Sequence, residues 1–400
     1  MRRIQWVLTL SLLLAGSASY AGISGKIMGR IIDSQTQGPL IGVNIIIEGT
    51  TLGAASDAQG NFIIINIPPG TFSVKASMIG YKPVIIQNVQ VRVDLTTPVR
   101  FEMIPTVLDL GESVIVTAER NMIQMDVTSS QAIISSDEIE EMPVEELEEI
   151  IKLQAGVIEG SGGEMHIRGG RSSEISYLID GIPVTDPFSN TMGVEIENNA
   201  IQELQVISGT FNAEYGQAMS GIINIVTKEG KFDKYSGNLS LYLGDYYTRD
   251  TDIYYLGDDF QVNGITDLKA SFSGPVPIFK DKASFFLSGR YNKDQGYYWG
   301  KRIFNPDTWV LDSTHTQWYP DMTNLGDGKD VAMNPSRQLS LQGKVAVRLF
   351  PNLKLIASGQ GSDTWYQTYS HRYIYNPDGR LHYFGKNFNG IMTLNHTLSS

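Results

Sequence analysis

The chain has 400 residues, of which 31 are basic and 43 acidic, giving a net charge of −12, and it contains no Cys. Those figures exclude a disulfide framework and a thiolate metal site, and they disfavour a nucleic-acid binder, whose phosphate contacts need clustered Lys and Arg. After the N-terminal segment no stretch offers the roughly eighteen consecutive apolar positions that a membrane-crossing helix requires.

The N-terminus runs from Arg2 and Arg3 through an apolar stretch, Ile4 to Ala15, to a small-residue site at Ser19-Tyr20-Ala21. That plan predicts a secretory signal peptide over residues 1–21, too short to serve as an anchor, and a mature chain that begins near Gly22 outside the cytoplasm. The rest divides by composition. Residues 111–230 hold 5 basic and 21 acidic side chains, while the aromatic residues concentrate after residue 230. Such sorting predicts separate modules.

Residues 22–105 alternate short β-branched runs, such as Gly42 to Ile47, Phe62 to Ile67 and Thr71 to Ala76, with turn signals at Asp57 to Asn61 and Pro68-Pro69-Gly70. This spacing predicts a small antiparallel β-sandwich. The string Ser56 to Phe62, the Pro-Pro-Gly-Thr-Phe run and Ile79-Gly80-Tyr81 resemble a carboxypeptidase regulatory-like domain. The module has no His and no zinc-ligand set, so peptidase activity is not expected.

A linker, residues 106–120, contains the extended segment Ser113, Val114, Ile115, Val116, Thr117 and Ala118. An isolated β-branched strand at a domain boundary can pair with another chain's sheet edge, or dock on its own domain. Ser135-Ser136-Asp137-Glu138 then predicts a helix start, and Pro143 the start of a second helix to about Leu153. Leu147, Ile150, Ile151 and Gln154 share one side of it, and Glu145, Glu146, Glu148 and Glu149 form a solvated face rather than a metal site.

Three further strings follow: Ile167-Arg168-Gly169-Gly170-Arg171, then Tyr177 to Pro183 around Asp180-Gly181, then Tyr215-Gly216 through Gly221 and Asn224 to Lys228. In this order they resemble the plug domain of TonB-dependent outer-membrane receptors, over residues 121–230. The resemblance implies a mixed α+β plug and puts Ser113 to Ala118 where that family keeps its TonB box. Physically, Asp180-Gly181 is a hairpin signal and Gly169-Gly170 permits close backbone approach. Arg168 and Arg171, in so acidic a module, suit internal ion pairing or ligand contact.

From residue 231 to 400, segments of about ten residues carry one apolar face, as a lipid-facing barrel strand must. The clearest is Gln338 to Phe350, with Leu339, Leu341, Val345, Val347 and Leu349 on one side and Ser340, Gln342, Lys344 and Arg348 on the other. Others centre on Leu239 to Leu243, Leu268 to Phe272, Ala283 to Leu287 and Leu353 to Ala357, with a fragment from Ile391. The gaps alternate long and short, the order expected of external loops and periplasmic turns. Ser273 to Lys282 is similar to the first periplasmic turn of the same receptor family. Tyr297, Tyr298, Trp299, Trp309, Trp318, Tyr319, Tyr369 and Tyr373 lie in the long gaps, as a ligand platform or as interfacial anchors. Plugged transporters use about 22 strands, so the segment reads as the first strands of a truncated transmembrane antiparallel β-barrel, and the chain as the front part of a longer receptor.

No nucleophile elbow, phosphate loop or zinc-helix motif occurs, so neither an enzyme nor a cofactor is expected. The mainly β chain is expected in the cell outer membrane, with its N-terminal domains periplasmic. Its expected partners are TonB, outer-membrane lipid and an unknown small ligand (iron chelate, cobalamin, glycan or peptide), and no nucleic acid. The competing reading is a secreted or surface adhesion or scaffold protein of β-domains.

Overall fold

The computed structural model describes residues 23–106, 114–117, 130–144, 146–161, 163–209, 218–279, 281–311, 317–350 and 352–396. The expected signal peptide, and Ser113, Ala118, Tyr215 and Gly216 among the candidate residues, lie outside them.

The first module is two sheets face to face. Strands β1 (Gly25–Asp33), β4 (Asn61–Ile67) and β7 (Thr96–Met103) form one, in the order β4-β1-β7. The other contains β2 (Asn44–Ile47), β3 (Gly53–Ala55), β5 (Gly70–Ser77), β6 (Val84–Val91) and β8 (Val114–Thr117), in the order β3-β2-β5-β6-β8. Alternation turns one set of side chains inward, and Ile27, Ile31, Ile45, Phe62, Val74 and Phe101 form the core. The pairing is mixed rather than wholly antiparallel: β7 runs parallel to β1, and β8 parallel to β6. Alternation encodes which face a residue takes but not the direction of the neighbouring strand, so the sequence was silent on this.

The second module is built on a sheet of order β13-β12-β15-β14-β9, from β9 (Ser130–Ser135), β12 (Ile175–Ile179), β13 (Ile182–Pro183), β14 (Ile201–Ser208) and β15 (Gly221–Thr227). Strands β10 (Val157–Glu159) and β11 (Met165–Ile167) form a separate hairpin. Strands β12 and β15 are buried along their whole length, which is why they read as mainly apolar runs without alternation, interrupted by the buried Ser176, Asn224 and Thr227.

A helix Ser136–Glu141 begins where expected, with the Ser135 side chain and Glu138 forming a reciprocal capping box. Ser135→Ala removes one half of that exchange and is expected to cost about 1 kcal/mol, read as a lowered urea midpoint. The second helix is Leu147–Lys152, not one starting at Pro143. Pro143 instead ends the first helix: its ring disfavours helical geometry in the residue before it, and Met142 is extended. Leu147, Ile150 and Ile151 are buried as the periodicity required.

The third module is a six-stranded antiparallel meander: β16 (Ser236–Gly244), β17 (Ile265–Pro275), β18 (Ala283–Asp294), β23 (Ser336–Phe350), β24 (Leu353–Gln367) and β25 (His382–His396). Between β18 and β23 a long loop holds four short strands, β19 (Trp299–Lys301), β20 (Trp309–Leu311), β21 (Trp318–Pro320) and β22 (Asp330–Ala332). The connections run long, short, long, short, long, as the sequence predicted. The last strand starts at His382, nine residues before the expected Ile391. Gly385, Asn387, Asn389 and Gly390 look like loop residues locally, but an unbroken ladder to β24 holds them extended.

The polarity of this sheet is inverted relative to a soluble one. Leu239, Leu241, Leu287, Leu341, Phe388 and Met392 are exposed, whereas Ser284, Ser288, Ser340, Gln342, Lys344 and Gln360 are buried, several of them against the second module. An apolar outer band over a polar inner face is what a hydrocarbon environment selects.

Candidate functional site

The strongest polar chemistry lies at the seams between the modules. At the end of β12, Asp180 and Gly181 both take positive φ, +47° and +78°, the geometry of a tight hairpin between twisted strands. Glycine adopts it without cost and Asp tolerates it. The turn aims the Asp180 carboxylate inward, where it accepts hydrogen bonds from the Thr227 backbone N (2.9 Å) and hydroxyl (2.8 Å). Lys344, projecting from the inner face of β23, places Nζ 2.8 Å from Asp180 and donates to the Thr227 carbonyl at 3.0 Å. Asp180, Thr227 and Lys344 are all buried, so the ion pair is shielded from salt, and each partner also bonds Thr227.

A second seam forms on the neighbouring strands. Arg290 of β18 makes a forked contact with Asp267 of β17, at 2.9 Å and 2.7 Å, and reaches Glu197 of the second module at 3.3 Å. Glu197 also accepts from the Ser340 hydroxyl, and the Ser288 hydroxyl donates to Asn199 at 2.9 Å. A third cluster marks the crossing into the sheet: Lys354 pairs with Glu229 at 2.6 Å and the Arg348 guanidinium lies 3.6 Å from the centre of the Phe232 ring.

The first module is tied to the second through the residues just after β6. Val93 N donates to Glu203 Oε1 at 3.1 Å, and Gln205 Nε2 donates to Val93 O (3.2 Å) and to Glu203 Oε1 (2.8 Å). Asn224 holds Gln205 in turn, its Nδ2 donating to Gln205 Oε1 at 3.1 Å. Burial pushes the Glu203 carboxyl up to about 7, against the pull of the Val93 N–H, the Gln205 amide and Arg92, and with a small push from Asp94. Separation of the modules exposes Glu203 and returns it towards 4.5, so docking takes up a proton. The contact is therefore strongest below about pH 4.5 and weakens as pH rises towards 7, by at most about 1.4 kcal/mol per pH unit. Glu203→Gln keeps an acceptor for Val93 N and is expected to flatten that dependence, measured as the urea midpoint for module separation across this range.

The segment Val114–Thr117 is not free. It is paired with β6, Val114 opposite Val84 through Thr117 opposite Gln87, and Val114 N donates to Pro83 O at 2.9 Å. Of the two alternatives open at the sequence level, docking on its own domain is the arrangement present. Arg168 and Arg171 stand apart from the seams: both are exposed, and neither is ion-paired among the described residues. Gly170 lies where a Cβ would come 2.2 Å from the Ser220 side chain, so the close approach expected there is present.

Comparison with known proteins accords with this arrangement. The model of the CarboxypepD_reg-like domain matches residues 27–115, and that of the TonB-dependent Receptor Plug Domain matches residues 123–222. The TonB-dependent transporter Oar of Myxococcus xanthus is 27% identical over 68% of this chain and 27% of its own length. The chain carries the plug domain of a TonB-dependent receptor. The vitamin B12 transporter BtuB of Vibrio vulnificus is 32% identical over 33% of this chain and 23% of its own length. Among solved structures, the outer membrane transporter YddB of Escherichia coli aligns at 12% identity with a TM-score of 0.47, over 67% of this chain and 37% of that one. The chain thus spans about a quarter of the length of the curated relatives it matches.

In the terms of this family, the second module is the plug, and the seams described above are its attachments to the barrel strands and to the N-terminal sandwich. Asp180, Gly181 and Asn224 were singled out by motif and do lie at those attachments. Lys344, Arg290, Asp267, Glu197, Glu203 and Gln205 were not. Their signal in sequence is faint: a cation or carboxylate in a strand looks like any polar inward residue until its partner is known.

Five tyrosines of the outer loops form a continuous group. Tyr246, Tyr254, Tyr297, Tyr298 and Tyr369 contact in series, with centroids 4.1 Å apart for Tyr298 and Tyr369 and 5.2 Å for Tyr246 and Tyr297. Beside them is a cavity of about 270 Å³ lined by Tyr246, Tyr254, Tyr297, Trp299, Asp245 and Asp259.

Proposed function

We propose that the protein is an energy-coupled outer-membrane receptor that takes up a scarce small ligand, and that it is not an enzyme. The outer loops capture the ligand, the plug occupies the barrel lumen, and TonB in the periplasm draws on residues 113–118 to shift the plug. The observation that carries this reading is the inverted polarity of the β16–β25 sheet, whose buried polar face meets the plug through Asp180–Lys344 and Arg290–Glu197. A secreted adhesion protein has no use for an exposed apolar band of that size. The working division is a signal peptide to residue 21, a sandwich over 22–105, a linker with the TonB-box segment over 106–120, a plug over 121–230 and barrel strands from 231.

The ligand belongs to the classes such receptors import: iron chelates, cobalamin, glycans or peptides. The test takes the full-length gene product, fractionates it, and measures capture by the purified TonB C-terminal domain. Outer-membrane localisation is expected, with capture that drops at least about tenfold when residues 113–118 are deleted. A soluble product, or capture indifferent to the deletion, overturns the coupling.

A further inference from the structure

We propose that the open edge of β6 is a holding site for residues 114–117, so that the sandwich and TonB compete for one strand. This rests on the reading that TonB takes up that segment.

A partner that recognises an extended segment by strand addition uses its backbone for affinity and its alternate side chains for specificity. In the docked state both are partly committed. One backbone edge of β8 is spent on β6, and Val114 packs against the sandwich core. Ile115 and Val116 remain 61% and 46% exposed. A binder that reads Val114 and Val116 together has to lift the strand away.

The holding contact is built to yield. It is a ladder of four residue pairs, in parallel pairing, at the end of its sheet. Short edge elements with exposed side chains sit at the low-stability end of a fold and open without global unfolding. The strand that holds β8 is also connected to the plug. Two residues beyond the end of β6, Val93 is gripped at both its N–H and its carbonyl by Glu203 and Gln205 of β14, at 3.1 Å and 3.2 Å. A displacement of the plug sheet is therefore delivered to β6, and the availability of residues 114–117 reports the position of the plug. Apparent affinity for TonB is the intrinsic affinity reduced by the fraction of receptors in which the strand is released.

These 400 residues contain no Cys, so an engineered pair in the sandwich has no native thiol competitor within them. Ile85 and Ile115 are opposite one another in the register, on the face away from the core, and adjacent strands lie within disulfide reach. In the full-length receptor carrying Ile85→Cys and Ile115→Cys, a disulfide is expected to form on oxidation. The oxidised receptor should bind the TonB C-terminal domain at least about tenfold more weakly than the reduced one, with wild type indifferent to reductant. A second receptor lacking residues 23–106 should bind that domain several-fold more tightly than wild type. Equal binding by oxidised and reduced receptor means that TonB adds to the outer edge of the docked strand, and overturns the competition. Failure of the disulfide to form, or unchanged binding without the sandwich, overturns it as well. If neither wild type nor reduced variant binds TonB although the disulfide forms, the coupling reading has failed first, and the proposal goes with it.

Discussion

A Lys344→Met receptor is expected to lose about 3–5 kcal/mol of plug-seating stability, because it leaves the Asp180 carboxylate buried without its cation. Asp180 keeps its two bonds from Thr227, but these do not neutralise a charge removed from water. Lys344 Nζ also satisfies the Thr227 carbonyl, so the same substitution leaves a second buried acceptor short of a partner. The measurement is urea-induced release of the plug, followed by a probe on the β12–β13 hairpin in the detergent-folded receptor. Adding Asp180→Asn to Lys344→Met should recover a large part of the loss, since a neutral pair no longer holds an uncompensated charge. A single-variant loss below about 1 kcal/mol would show that the hairpin is held by its apolar neighbours instead.

Arg290→Met is expected to cost a similar amount, about 3–5 kcal/mol, by a different route. Asp267 and Glu197 are both buried and both face Arg290. Without the guanidinium, two carboxylates share a low-dielectric site in which Asp267 still has Lys269 at 3.9 Å, whereas Glu197 has lost the Arg290 cation and must take up a proton or move into water. Asp267 belongs to the barrel strands and Glu197 to the plug, so the loss should divide between wall and plug. Glu197→Gln in the Arg290→Met background should restore plug seating and leave the defect at Asp267. Plug seating in wild type should change little between low and high salt, because a buried pair is poorly screened. A strong salt dependence would mean that water reaches the cluster.

Two seams hold the plug to the barrel strands. Each seam is one buried cation with its carboxylates, costly to halve but not costly to exchange as a unit. A rigid apolar interface of the same extent would have no such discrete steps. In the same way the sandwich grips the plug through the Glu203–Gln205–Asn224 chain around Val93.

Much of the fold was legible from local pattern. Period-two alternation located β16, β17, β18, β23 and β24, because lipid and plug impose opposite polarities on successive residues, while the short strands β19 to β22 lie in what the sequence reads as a loop. The capping box at Ser135 and Glu138 gave the first helix its start, and Asp180-Gly181 gave the hairpin its turn, because both are satisfied within a few residues of the chain. Where the local signal is ambiguous, tertiary contacts decide the outcome. Pro143 can open a helix or end the preceding one, and only the extended geometry of Met142 decides between them. His382 to Gly390 carries loop-like residues and is a strand because fifteen residues of β24 pair with β25.

Sequence by itself determined which residues face inward, where the chain turns, and the order of its modules, since each of these is set by side-chain type and short-range backbone preference. It did not determine who meets whom. Asp180 and Lys344 are separated by more than a hundred and sixty residues, Val93 and Glu203 by more than a hundred, and Val114 finds β6 rather than solvent. Those pairings arise only when folded modules bring distant strands within a few ångströms, where burial turns an ordinary carboxylate, lysine or β-branched residue into an anchor.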